Sequence, residues 1–384
     1  MFNFDLTYII ANLILFIVFV ISGRKIANNN DLKIWTLFCI IIYTTILGLR
    51  YARGYDYFHY IDLYLNGYDE GEQKIFVFIN YLLKKLGVGQ YYIFVVYSLI
   101  EILCSFIFLK RYRNFGVYII PLFMISTISF NEYSIRQALG FSFVWLCIAN
   151  TLDLYNIIRN KDTKKIFVKL IKVLLFFTLS YSIHSVDGYL CIIMILIIFF
   201  SREPIPLKVS VPLLIFATYF FSRFFDFSWL NIFLNLFAGD QRMAHYINNY
   251  DTWFSFDDYH DEITYTRNGI VLVFEMVGCI SLLYFGKKTI INIYHKHDAI
   301  AFYNFFVLGV ILLNAFREVE LLQRAARCLY IFWFFPLAIV LCHKKQIVKS
   351  SPESYMYLFL IWWSYDYLKY LFFRGEMTKF IWDI

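Results

Sequence analysis

Charge is what this chain has least of. Only 16% of its 384 residues are Asp, Glu, Lys or Arg, while 60% are hydrophobic and 22% aromatic, giving a mean hydropathy of +0.61. A soluble domain of that make-up could not cover its surface with polar groups. Other absences narrow the chemistry. No HExxH, Walker loop, GxGxxG or GxSxG stands in a usable context, so hydrolase, nucleotide-driven and dinucleotide readings lose support. The seven cysteines (Cys39, Cys104, Cys147, Cys191, Cys279, Cys328 and Cys342) form no CxxC pair and fall in or at the ends of apolar segments. Disulfides and cysteine-ligated metal are therefore not expected, and these residues read as small core hydrophobes. No basic region precedes the first apolar run, MFNFDLTYII, which reads as an uncleaved helix rather than a signal peptide. No internal repeat recurs at a fixed period.

What is present is a series of apolar stretches near the roughly 20 residues needed to cross hydrocarbon. They predict an all-α polytopic membrane protein, a single transmembrane domain over residues 1–384. About twelve spans are expected: 6–22, 34–50, 91–109, 116–131, 135–157, 170–186, 188–201, 209–226, 268–286, 299–316, 325–342 and 354–373. Alternate loops carry Arg24, Lys25 and Lys33; Lys110, Arg111 and Arg113; Arg159 to Lys172; Arg202 and Lys208; Lys287, Lys288 and Lys296; and Lys344, Lys345 and Lys349. Together these loops hold more than half of the 35 Lys and Arg residues. By the positive-inside rule they face the cytoplasm, which puts both termini outside. The net charge of +7 is thus a topology signal and not a nucleic-acid footprint. Consistent threading requires that IFVFINYLLKKLG (75–87), which is short and carries Lys84 and Lys85, lie at the interface or re-enter rather than cross. The longest outer connection, 227–267, is rich in aromatics that suit sugar stacking or, equally, an ordinary interfacial belt. Its DDYHDE run (257–262) has oxygen ligands for a divalent cation, but a solvated acidic loop is the simpler account, and no metal is expected.

Four polar constellations fall at the outer ends of the spans. LRYARGYDYFHY (49–60) offers Arg50 and Arg53 three residues apart, then Gly54 to turn the chain and Asp56. Paired guanidiniums present fork donors suited to phosphate oxygens; the competing account is snorkelling at the membrane edge. In NEYSIRQA (131–138), Arg136 and Gln137 begin the fifth span. An arginine there gains nothing from the helix macrodipole but makes an anion site together with the helix end, unless it simply pairs with Glu132. SYSIHSVDGYL (180–190) places His184 three residues from Asp187, close enough to orient the imidazole, although a lone histidine in an apolar helix is more often a satisfied core residue. In REVELLQRAAR (317–327), Arg317, Glu320, Arg324 and Arg327 fall within about 80° of one another on a helix. Arg327 should need a partner inside the membrane boundary. A structural ion network is the alternative to an anion-binding stripe.

Taken together these motifs resemble bacterial polysaccharide repeat-unit polymerases, the Wzy-type O-antigen polymerases, and specifically their EpsG-like branch. The residues that carry the resemblance are Arg50 with the G-x-D-Y element Gly54, Tyr55, Asp56 and Tyr57; the I-R-Q-A segment Ile135 to Ala138; His184 after a span; and Arg324 or Arg327 before an aromatic-rich helix. The resemblance implies a GT-C-like membrane glycosyltransferase in the bacterial cytoplasmic (inner) membrane with its active face periplasmic. Such an enzyme moves a glycan from undecaprenyl pyrophosphate to another lipid-linked repeat unit, without a cofactor and, in some systems, beside a chain-length regulator protein. On that reading Arg50, Arg53, Arg136, Arg317, Arg324 and Arg327 bind pyrophosphate, and Asp56, His184 and Glu320 are the candidates for acid–base work. The rival readings are a lipid-linked oligosaccharide flippase, an O-antigen ligase and a membrane acyltransferase.

Overall fold

The computed structural model describes residues 5–28, 32–54, 56–67, 73–161, 163–221, 269–317, 320–344, 354–372 and 378–383. The outer connection 227–267, with DDYHDE and its aromatics, lies outside the described residues, as does Tyr55. Within them the chain is helical, apart from one isolated bridge pairing Arg50 with Phe380. The main elements are α1 (Leu6–Ala27), α2 (Leu32–Gly48), α3 (Tyr57–Asn66), α4 (Lys74–Lys85), α5 (Ile93–Leu109), α6 (Gly116–Tyr133), α7 (Ile135–Arg159), α8 (Thr163–Ile183), α9 (Ser185–Phe200) and α10 (Leu207–Phe216). They continue with α11 (Gly269–Asn292), α12 (His297–Ala315), α13 (Glu320–Tyr330), α14 (Phe334–Cys342) and α15 (Ser354–Phe372).

Among the described residues, six helical stretches are long and apolar enough to cross a membrane. One of them, Ile93–Tyr133, is two helices. Tyr112 leaves helical geometry in the turn between α5 and α6. The chain reverses there: Gly48 at the end of α2 backs onto Val95 near the start of α5, while Gly116 meets Gly23 and Glu132 meets Tyr8. Shorter apolar helices cover Leu32–Gly48, Ser185–Phe200 and Leu207–Phe221. Rows of Leu, Ile and Phe lie exposed along α1, α2 and α8 (Ile10, Ile14 and Ile17; Leu37 and Ile41; Phe167, Ile171 and Leu174). Helices that are apolar on both their packed and open faces belong in lipid, and this chain is a membrane protein.

Within the described residues the expected stretches fall mainly on helices, with two notable changes of form besides the break at His184 between α8 and α9. The stretch 325–342 is broken by a 3-10 turn at Ile331–Trp333 into α13 and α14. The run from Arg317 to Arg327 is not one helix. Arg317 lies in the turn after α12, and α13 begins at Glu320, so the arginine stripe loses its first member.

The basic loops do gather at one end of the bundle. Arg111 and Lys169 both reach Asp153 at 2.6 Å, tying the turn after α5 to α7 and α8. Phe115 touches the rings of Tyr294 and His343, and His297 stacks on Tyr155 at 3.7 Å. Asn304 reaches back to Ser201 and Glu203, closing the α9–α10 connection onto the same end.

At the opposite end a second, smaller core forms. The segment expected to be loop holds α3, and the short interfacial candidate is α4. The α4 side chains Phe76, Asn80 and Leu83 share one face and are buried, while Lys84 bonds the Leu65 carbonyl at 2.9 Å. Tyr57, Tyr60, Tyr64 and Phe76 pack there with Phe94 and Tyr97 of α5, Ile135 and Leu139 of α7, and Ile183 of α8. Burial raises the Tyr57 phenol above its ordinary pKa, as an apolar surround must. This aromatic layer roofs the helix ends that carry the polar constellations.

Candidate functional site

The helix ends opposite the basic loops hold two clusters. The first is built on the turn after α2. Gly54 has φ +108, and a Cβ there would stand 2.5 Å from the Glu132 carbonyl oxygen, so only glycine lets this turn lie against the end of α6. The turn drives both of its arginines inward, to 0% exposure. Arg50 Nη1 donates to the carbonyls of Asn131 at 2.9 Å and Glu132 at 3.5 Å, so the guanidinium caps the negative end of α6. Arg53 Nη1 meets Glu132 Oε1 at 2.7 Å, and its Nη2 donates to the Ile46 carbonyl at 2.7 Å. The hydroxyls of Tyr8 and Tyr370 donate to Glu132 Oε2 at 3.3 and 2.6 Å. Behind them, Tyr43 binds Asn131 and donates to Glu101 Oε2 at 3.3 Å. Two buried arginines thus face two buried glutamates, the condition under which charge survives inside a bundle.

The chain closes this cluster with residues 378–383. Tyr51 N donates to the Lys379 carbonyl at 2.9 Å, and Ile381 N to that of Leu49 at 3.0 Å. Phe380, itself at 0% exposure, lies over the Arg53 guanidinium at 4.3 Å, opposite Tyr8 at 5.3 Å.

The second cluster joins three segments. Arg136 and Gln137 begin α7, where the sequence places them; Arg136 is half-buried, with Phe76 of α4 at 5.8 Å from its guanidinium. His184 is the extended residue between α8 and α9, and Asp187 sits in the first turn of α9, where the helix dipole favours an anion. Nδ1 of His184 lies 3.5 Å from Asp187 Oδ2; the histidine side chain keeps 21% exposure and the aspartate none. From α13 comes Cys328, whose Sγ receives Gln137 Nε2 at 3.3 Å and stands 3.9 Å from Asp187 Oδ1. Gln137 Nε2 also reaches the Arg324 carbonyl at 3.5 Å, which fixes α13 against the start of α7. Gly140 is required here, since a Cβ would come within 2.5 Å of Asp187 Oδ2 and 3.0 Å of His184 Cβ.

The remaining expected residues lie on α13, in the turn after α12 and just before α3. Arg324 is half-buried. Arg327 is exposed and donates to Gln323 Oε1 at 2.8 Å. Arg317 is half-buried, and its carbonyl accepts from Gln323. Glu320 opens α13, and its side chain lies outside the described residues. Asp56 precedes α3, half-buried, with the Tyr60 hydroxyl on Oδ2 at 3.4 Å.

Three participants escaped the sequence reading. Glu101 sits inside an apolar helix with no motif around it. Glu132 was expected to pair with Arg136 if with anything, and it holds Arg53. Cys328 reads as a core hydrophobe because nothing in its neighbours betrays Asp187. A charged residue amid an apolar run is the signal that could have found Glu101. Among the described residues no three His, Cys, Asp or Glu side chains converge as a metal site.

The family profile described as the EpsG family matches residues 33–381, nearly the whole chain and both clusters. No curated protein and no solved structure matches. The chain belongs to the EpsG family.

Proposed function

Proceeding from membership of the EpsG family, we propose that this protein polymerises oligosaccharide repeat units carried on undecaprenyl pyrophosphate, as a GT-C-like glycosyltransferase of about twelve spans. It works at the outer face of the bacterial cytoplasmic membrane, the face opposite the gathered basic loops. The observation that carries the reading is the convergence of α7, the α8–α9 junction and α13. It brings Arg136, a His184–Asp187 pair and Arg324 to one end of the bundle beneath an aromatic roof.

The reaction asks for little more. The acceptor sugar hydroxyl attacks the anomeric carbon of the donor. The bond from that carbon to the pyrophosphate oxygen breaks, and the electron pair leaves with the lipid pyrophosphate. Arg136 and Arg324, with Arg317 and Arg327 at the rim, neutralise the charge that develops on the leaving group. His184 accepts the hydroxyl proton through Nε2, because Nδ1 is turned to Asp187, which stabilises the imidazolium that forms. Asp56 and Glu320 are the secondary candidates for that proton. Arg50 and Arg53 are assigned to holding α2 and α6 in place rather than to substrate, since their partners are protein carbonyls and Glu132.

The test is polymerisation of purified lipid-linked repeat units by the reconstituted protein. Arg136→Ala and Arg324→Ala should each insert normally and lose about a hundredfold or more in rate, the size expected for a lost transition-state donor. Long-chain polymer made at the normal rate by either variant overturns the assignment. Transfer of glycan to lipid A alone would make the protein a ligase, and translocation without chain growth a flippase.

A further inference from the structure

The second cluster contains a group that the proposed chemistry does not use. Cys328 is buried to 0% exposure, yet three polar groups surround its sulfur: Gln137 Nε2 at 3.3 Å, Asp187 Oδ1 at 3.9 Å and the Arg324 carbonyl at 3.6 Å. A thiol has one proton to donate. The Arg324 carbonyl already has two donors, the Cys328 backbone N–H of the α13 ladder and Gln137 Nε2. Two acceptors stand in reach of the thiol proton, the Arg324 carbonyl at 3.6 Å and Asp187 Oδ1 at 3.9 Å, and the carbonyl already receives two other donors, which makes the carboxylate the better acceptor. Gln137 donates to the sulfur and so orders it.

The result is a chain running from Gln137 on α7, through Cys328 on α13, to Asp187 on α9 and on to His184. Each link joins a different helix. Cys328 stands one helical turn beyond Arg324, so the contact that orients the thiol also sets the height of the arginine.

Resting on the reading above, we propose that Cys328 is a positioning residue: its thiol holds the Asp187 carboxylate behind His184 and registers the arginine helix α13 against the imidazole. The thiol does not touch substrate. Its work is to keep Asp187 aimed at Nδ1 and Arg324 at a fixed distance from that pair. Serine, a smaller but stronger donor, should serve in its place, whereas valine fills the space and offers no proton.

The experiment compares Cys328→Ser, Cys328→Val and His184→Ala in reconstituted vesicles, measuring rate against concentration of lipid-linked repeat unit and the amount of folded, inserted protein. Cys328→Val should lower kcat about tenfold or more, the range seen when an outer-shell partner of a working histidine is removed, with KM and inserted amount unchanged. Cys328→Ser should keep kcat within about threefold of the parent. If both variants match the parent while His184→Ala is inactive, the positioning role is wrong and the active-site reading stands. If serine and valine lose rate equally, the thiol's donor is irrelevant and the inference also fails. If His184→Ala polymerises normally, the active-site reading itself falls.

Discussion

Arg53 and Arg324 are the same residue type at the same end of the same bundle, and the fold treats them oppositely. Arg53 is held between a carboxylate, a carbonyl and two aromatic rings, with nothing left facing out. Arg324 stands half-buried on a helix whose next turn reaches the His184–Asp187 pair. The first environment is charge-balanced and closed by the 378–383 segment. The second keeps a partly exposed imidazole beside the half-buried Arg136 and Arg324. A closed, charge-balanced cluster builds structure, while one that leaves an imidazole and guanidiniums partly exposed has groups a substrate can reach. Guanidinium content alone does not separate the two; burial does, because Arg50 and Arg53 are at 0% exposure while Arg136 and Arg324 are half-buried.

That contrast can be broken, and the largest effect should come from the closed side. Glu132→Ala strands Arg53 as a buried charge and should destabilise the protein by about 3–5 kcal/mol. Thermal denaturation in detergent would read this, and the double variant Arg53→Leu with Glu132→Leu should regain most of the loss. Equal stability of Glu132→Ala and parent would mean the cluster is not closed. On the open side, Gly140→Ala forces a methyl group onto Asp187 and His184. It should cut polymerisation about a hundredfold with normal insertion, as misplacing a catalytic pair by a fraction of an ångström does. Full activity in that variant would detach the His184–Asp187 geometry from the chemistry. The smallest effect sharpens the distinction. Tyr370→Phe removes the 2.6 Å hydrogen bond to Glu132 and should lower stability by about 2 kcal/mol while leaving the rate per folded molecule alone. A lowered rate at full stability would move the first cluster into the catalytic site.

Much of this molecule can be read from its residues. The positions of the helices follow from apolar runs bounded by Arg, Lys and Gly. The clustering of Arg111, Lys169, His297 and His343 at one end follows from the alternation of basic loops. Arg136 beginning α7 and His184 preceding α9 were equally visible. The turn at Phe316 and Arg317 was not, because the sequence there carries no glycine or proline to announce it. The helix α3 was hidden by the acidic residues around it, whose charge reads as loop, while its tyrosines pay off only against α5 and α7.

What the sequence determined by itself was the class and the candidates: too little charge for water, basic loops in alternation, and arginines at the helix ends between them. Those are local or additive properties of a chain in lipid. Only the tertiary structure decided which arginines are enclosed and which remain available. That choice depends on partners far away in sequence: Glu132 lies 79 residues from Arg53, Tyr370 lies 238 from Glu132, and Cys328 lies 141 from Asp187. A charge inside a membrane bundle is stable only beside its partner, and no local pattern names a partner that packing alone brings near.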